Sequence, residues 1–140
     1  MRLLLAVCAS LVSASAVLAA DTDVAAEGEK AKAIASVPPG VVDGAAARQL
    51  VAAGVKVVDV RTPAEFAAGH VPGAVNIPYD EMERRYGELG PKSTPLLVYC
   101  RTGHRSGIAI KTLREHGFET IYDLKAYDRW VQSGTSQAQQ

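Results

Sequence analysis

Cys100 is the residue whose type and surroundings best suit chemistry. It closes the apolar run Pro95-Leu96-Leu97-Val98-Tyr99 and opens the segment Arg101-Thr102-Gly103-His104-Arg105-Ser106-Gly107. A helical pattern follows over residues 106–116. A thiol at a strand-to-helix turn stands where backbone N–H groups converge and the helix dipole is positive. Both features favour the thiolate, the nucleophilic form of cysteine. Arg101, His104 and Arg105 add positive potential in the same loop. Such a site supports chemistry on, or with, sulfur. The competing reading is a buried, inert cysteine that packs as a small hydrophobe. A glycine-containing, cationic loop is a poor place to hide a side chain, so the thiol is not expected to be hidden.

The only other cysteine, Cys8, falls in an N-terminal segment that reads as a targeting signal. Met1-Arg2 is a short basic start, residues 3–18 are apolar or small, and Val17-Leu18-Ala19-Ala20 offers small residues at a cleavage point. Leu5-Ala6-Val7-Cys8 is a poor lipoprotein box, because Val7 is bulky and the apolar stretch before it is very short. A membrane anchor is the rival reading. The apolar stretch is short and rich in Ala and Ser, which favours a cleaved signal over residues 1–20, no stable membrane insertion after cleavage, and a periplasmic location. A mature exported chain with one cysteine cannot form an internal disulfide, so the thiol is no structural staple.

The chain of 140 residues has a formal net charge of zero. Without Arg2, the sole charged side chain in residues 1–20, there remain 14 basic against 15 acidic side chains. This balance argues against a general nucleic-acid binder or a polybasic membrane-surface protein. The length favours one domain. Residues 21–40 read as an N-terminal extension or linker, with 21–36 either a frayed helix or a tether, punctuated by Pro38-Pro39-Gly40. The folded unit is expected over 41–133, and 134–140 as a disordered polar tail.

The elements that must position Cys100 alternate between strand and helix. Asp43 is a candidate N-cap for a helix over 45–53, stopped by Gly54. Residues 55–60 form a β-branched run. Thr62-Pro63-Ala64-Glu65 reads as an N-cap, a proline at the first helical position and an acid completing a capping box. That short helix ends at Gly69. After the turn His70-Val71-Pro72-Gly73 come a short strand over 74–77 and a polar, exposed helix over 80–89. The strand over 96–99 leads into the Cys100 loop. A further strand is expected within 118–124 and a last helix over 126–132, with Trp130 and Phe118 read as core. Short loops between alternating elements predict an α/β fold with a mainly parallel central sheet flanked by helices. Ligands of such sheets bind at the carboxyl ends of the strands, where Asp59 and Cys100 both sit.

Three segments carry a family resemblance. They are Val58-Asp59-Val60-Arg61 with Glu65-Phe66; Gly69-His70-Val71-Pro72-Gly73-Ala74-Val75-Asn76-Ile77-Pro78; and Val98-Tyr99-Cys100-Arg101-Thr102-Gly103-His104-Arg105-Ser106. In this order and spacing, residues 57–130 resemble a single-domain rhodanese, a thiosulfate sulfurtransferase. One departure stands out. The family often carries a Leu-x-Gly-Gly turn before the last Trp helix. Here Leu124 is followed by Lys125-Ala126, which puts Lys125 near the mouth of the site.

The resemblance implies that the Cys100 thiolate takes the sulfane sulfur of a donor such as thiosulfate, and that cyanide, a small thiol or a protein thiol accepts it. Loop N–H groups and side chains from Arg101, Thr102, Gly103, His104, Arg105 and Ser106 would hold the anionic groups. Arg101 and His104 would meet the donor at the rim, and Arg105 could instead turn inward onto Asp59 or Glu65. Asp59, Arg61 and Glu65 are expected as supporting residues, and His70 as a turn or packing residue. No cofactor and no metal are required. Three other readings compete with this one. A Cys-based phosphatase has five residues between Cys and Arg, whereas four stand between Cys100 and Arg105. A non-catalytic binding module of the same fold typically lacks the cysteine. A metal site from Cys100, His104, His70 and His116 has no paired ligand motif behind it.

Overall fold

The computed structural model describes residues Ala20–Gln137. The expectation of a signal over residues 1–20 lies, but for Ala20, outside them. Five parallel strands form the sheet: β1 (Gly40–Val41), β2 (Lys56–Asp59), β3 (Val75–Asn76), β4 (Leu96–Cys100) and β5 (Ile121–Ala126). Their order is β1-β5-β4-β2-β3, with every neighbouring pair parallel. The helices are α1 (Ala20–Ala35), α2 (Gly44–Ala52), α3 (Pro63–Ala68), α4 (Met82–Arg85), α5 (His104–Glu115) and α6 (Tyr127–Gln137).

Strand β4 lies at the centre, buried from Leu96 to Cys100. Its side chains alternate between two apolar layers, as the pleat requires. Leu96, Val98 and Cys100 join Ala109, Leu113, Met82 and Phe118 on one face. Leu97 and Tyr99 join Ala47, Leu50, Tyr122 and Leu124 on the other. Both faces of the sheet are thus covered, which explains why its strands read as continuous apolar runs.

Local signals set the helix starts. The Asp43 side chain accepts a hydrogen bond from the Ala46 N–H at 2.8 Å and caps α2. Thr62 and Glu65 form a reciprocal capping box at α3, with Pro63 in its first turn. Gly117, at φ +88°, ends the turn after α5 and lets the Phe118 N–H reach the Leu113 carbonyl at 3.0 Å.

Two expectations are corrected. The stretch over 80–89 is not one exposed polar helix. It is the short α4 followed by a 3₁₀ turn over Tyr86–Leu89, and both Met82 and Leu89 are fully buried. Two apolar side chains in an otherwise charged segment are enough to tie it down. Of the two readings of residues 21–36, the helix is the one present, and its carboxyl end is anchored by the Tyr122 hydroxyl, which lies 3.2 Å from the Ile34 and Val37 carbonyls. The last helix does not stop at residue 132 but runs on to Gln137, through part of the expected tail. It continues because α6 packs on α2. Arg48 donates to Ser133 Oγ and to the Trp130 carbonyl at 2.8 and 2.9 Å and stacks on the Trp130 ring.

At Gly44, α2 lies close against α6. A Cβ there would collide with the Arg129 carbonyl and the Ser133 side chain. Glycine to alanine in an open helix stabilises by about 1 kcal/mol. At this position the collision reverses the sign. Gly44→Ala is expected to cost about 1–3 kcal/mol, read from the midpoint of urea unfolding.

Candidate active site

The site begins where β4 ends. Cys100 stands abreast of Ala126 on β5, and Tyr99 abreast of Lys125. The register slips by one residue between Val98 and Tyr99, leaving Leu124 unmatched. Such a bulge turns the strand end locally. Beyond Cys100 the chain curls back through Gly103, whose φ of +101° lies in the left-handed region. The curl brings the Gly103 N–H onto Cys100 Sγ at 2.9 Å. Helix α5 starts directly after it, at His104, two residues earlier than the sequence pattern predicts. Ser106 is fully buried and its hydroxyl donates to the Gly103 carbonyl at 3.0 Å, which secures the curl from below.

The expectation that Cys100 is not hidden is corrected. Its accessible surface is 0%. The residue is still part of the paired strand, and the loop that follows folds over it. Its side chain belongs to the apolar layer under α5, beside Val98 and Ala109. The positive end of the α5 dipole and the Gly103 N–H nevertheless lie at the sulfur, so burial and anion stabilisation coexist there. Arg101, Thr102 and His104 are exposed at the rim.

The neighbouring strand end carries a buried network. The Asp59 carboxylate, fully buried, accepts from the Arg61 backbone N–H at 2.9 Å, from Arg61 Nε at 2.9 and 3.0 Å and from Arg61 Nη2. It also accepts from the Tyr99 hydroxyl at 2.7 Å. Arg61 Nη2 donates onward to the Gly69 carbonyl at 2.7 Å, and the Val71 N–H donates to the Tyr99 hydroxyl at 3.1 Å. Arg61 lies over the Tyr127 ring, 4.6 Å from its centroid. Burial, with Asp59 alongside, holds the Tyr99 phenol well above its ordinary range, so it stays a donor. Tyr99 is a site residue that sequence reasoning missed. Its signal was a hydroxyl-bearing side chain immediately before the cysteine in an apolar strand.

Arg105, read from sequence either as an anion-binding loop group or as turning inward onto Asp59 or Glu65, takes the inward position. Its Nη1 and Nη2 donate to the two Glu65 carboxylate oxygens at 2.8 and 2.9 Å. Glu65 also accepts from the Thr62 N–H and hydroxyl at 3.0 Å. One carboxylate therefore completes the α3 cap and anchors the first turn of α5. The Arg105 hydrogen bonds, aided by those from Thr62, pull the Glu65 carboxyl down to about 2 and raise Arg105. His70 stacks on Phe66, with centroids 3.8 Å apart, and His116 stacks on Tyr86 and pairs with Glu83 at 3.0 Å. The histidines thus belong to separate corners of the fold.

An open apolar cleft of about 430 Å³ lies elsewhere, beside Ile34, Val37, Pro38, Pro95 and Tyr122 at the amino ends of the strands. Its lining is mostly apolar, and the Tyr122 hydroxyl there is engaged by the Ile34 and Val37 carbonyls. The chemistry-bearing groups collect at the opposite, carboxyl ends.

Comparisons with known proteins agree with this geometry. The family described as "Rhodanese-like domain" matches residues 44–133. The chain is 34% identical to thiosulfate sulfurtransferase 16, chloroplastic, of Arabidopsis thaliana, over 69% of this chain and 90% of that protein. It is 40% identical to thiosulfate sulfurtransferase PspE of Escherichia coli over 46% of this chain and 62% of the relative. Two Bacillus subtilis relatives are spanned to 60% and 36% of their lengths. Among solved structures, the human single-domain sulfurtransferase TSTD1 superposes with a TM-score of 0.58 at 28% identity, covering 69% of this chain and 96% of that one.

The Glu65–Arg105 bridge predicts an acid-sensitive contribution to stability. The Glu65 carboxyl is depressed from 4.5 to about 2. Its contribution is therefore present above about pH 4.5 and lost as pH falls toward about 2. Glu65→Gln should lower stability at neutral pH by on the order of 1–2 kcal/mol, allowing for solvent screening. Urea midpoints of the two proteins should converge as the pH falls through this window.

Proposed function

This chain belongs to the rhodanese family through its rhodanese-like domain, and from that premise we propose that it moves a sulfane sulfur from a donor such as thiosulfate to a thiophilic acceptor through Cys100. The observation that carries the reading is the Gly103 N–H on Cys100 Sγ at the head of α5. The Cys100 thiolate attacks the outer sulfur of thiosulfate. A new S–S bond forms to Cys100, the S–S bond of the donor breaks, and sulfite departs with its electron pair. The product is a Cys100 persulfide anion. Cyanide or a thiolate then attacks the outer sulfur and leaves as thiocyanate or a persulfide, returning the Cys100 thiolate. This is covalent catalysis in two balanced displacements.

The residues divide the work. The Gly103 N–H and the α5 dipole stabilise the negative sulfur. Arg101 and His104, exposed at the rim, attract the anionic donor. Arg105 and Glu65 hold the loop on α3, and Asp59, Arg61 and Tyr99 hold the neighbouring 69–71 segment. The acceptor is a small thiol, cyanide or a protein thiol. The charge balance remains unfavourable to nucleic acid as a partner. The short loop and the bidentate engagement of Arg105 by Glu65 both weigh against a phosphatase, which needs that arginine for its phosphate. We propose also that the chain acts in the periplasm after cleavage of residues 1–20. The basic start, apolar stretch and small residues before Asp21 support this.

Intact mass spectrometry tests the first proposal. Thiosulfate should add about 32 Da, one sulfur atom, and cyanide should remove it. Cys100→Ser should do neither. Cys100-dependent hydrolysis of aryl phosphates with no sulfur uptake would replace this reading with the phosphatase one.

The site of action has its own test. Protein from the soluble periplasmic fraction should begin near Ala20 or Asp21 on N-terminal sequencing. Chain retaining Met1 in the membrane fraction would overturn export with cleavage.

A further inference from the structure

Lys125 has an unusual backbone. Its φ is +69°, and it is the one non-glycine residue with positive φ among those described. Lysine has no intrinsic preference for this conformation. Something must hold it there, and Asp123 does. The Asp123 side chain is almost fully buried. Its Oδ1 accepts from the Lys125 backbone N–H at 2.9 Å, and its Oδ2 pairs with Lys125 Nζ at 2.9 Å. One carboxylate clasps both ends of the same residue, at the bulge where β5 shifts register against β4.

The clasp decides where the lysine stem lies. A Cβ built on Gly103 would stand 3.0 Å from Lys125 Cδ and 3.3 Å from Lys125 Cβ. The stem therefore roofs Gly103, the residue whose N–H points at Cys100 Sγ. Ser106 holds the same glycine through its carbonyl. Gly103 is thus held by Ser106 through one of its atoms and roofed by Lys125 where a side chain would otherwise be. A long aliphatic stem suits a roof, because it covers apolar surface while its charged end stays tied at the edge.

We propose that Lys125, clasped by Asp123, is a positioning residue for the Cys100 thiolate, its stem holding the Gly103 N–H in place on the sulfur. The inference deepens the sulfurtransferase reading and rests on it for its functional meaning, but the placement of the N–H on the sulfur can be tested apart from any sulfur transfer. The other ionisable groups supplied by the elements around the thiol are Arg101, His104 and Arg105 from the loop and α5, Asp59 and Arg61 from the β2 end, Glu65 from α3, Tyr99 from β4, Asp123 from β5 and Tyr127 from α6. The test alters only the pairing of Asp123, which loses its Nζ partner in the Gly and Met variants alike.

The test is the rate of Cys100 alkylation by iodoacetamide against pH, on the full chain and its variants. Lys125→Gly tolerates the positive φ and removes the roof. Lys125→Met keeps most of the stem and removes the charge. A loosened N–H stabilises the thiolate less. The Lys125→Gly profile should therefore move to higher pH by about half a unit to one unit, whatever the plateau rate. Lys125→Met should move it less than half as far. A Lys125→Gly profile superimposable on the wild type would overturn the proposal. So would an equal shift in Lys125→Met, which would assign the effect to charge alone. Lys125→Asn, which also tolerates positive φ, replaces Lys125→Gly if that variant does not fold. Sulfur uptake from thiosulfate is measured in parallel. Its absence in the wild type would sink the sulfurtransferase reading and leave the alkylation result standing on its own.

Discussion

Burial of strand β4 on both faces is the constraint from which the rest of the site follows. Every residue from Leu96 to Cys100 is inaccessible to solvent. A strand enclosed in this way has nowhere to send its final polar group except into the turn that follows. At Cys100 that group is a sulfur, and the turn answers with the Gly103 N–H. The left-handed φ of Gly103 is the cost of bending the chain back so soon after the strand. Helix α5 then begins with its positive end against the sulfur. Enclosure and a directed N–H group thus meet at this thiol.

Around this centre, three carboxylates each hold a cation. Asp59 holds Arg61, Glu65 holds Arg105, and Asp123 holds Lys125. The first of these pairs is buried, where breaking one partner typically costs several kcal/mol. The other two are partly open and contribute less. Each pair positions a different loop on the same rim: the 69–71 turn, the start of α5 and the roof over Gly103. Arg101 and His104 stay exposed on that rim. Neutral overall charge is therefore compatible with a locally positive entrance, because the acids serve as internal anchors.

Much of the fold is legible from short-range patterns. The Thr62–Glu65 capping box, the Asp43 cap and the chain reversal at Gly117 all appear where their residue types predict. They involve neighbours three or four positions apart, so the local sequence contains both partners. The strand runs were readable for a similar reason, since a sheet covered on both faces demands continuous apolar side chains. The same reasoning failed over residues 80–89, where Met82 and Leu89 bind a charged segment to the core. A window dominated by charge hides two buried anchors.

What the sequence by itself determined, then, is the alternation of elements, their caps and the cysteine at a strand-to-helix turn. The tertiary structure alone decided that Cys100 is enclosed, that Tyr99 serves Asp59, that Arg105 takes Glu65 rather than Asp59 or a place at the rim, and that Lys125 covers Gly103. The Tyr99–Asp59 and Arg105–Glu65 bonds each join residues 40 positions apart. No local pattern encodes such a pairing, because it depends on which strands become neighbours in the sheet. Lys125 adds a second reason. Its left-handed backbone lies at a register shift between β4 and β5, and a register exists only once two strands have paired.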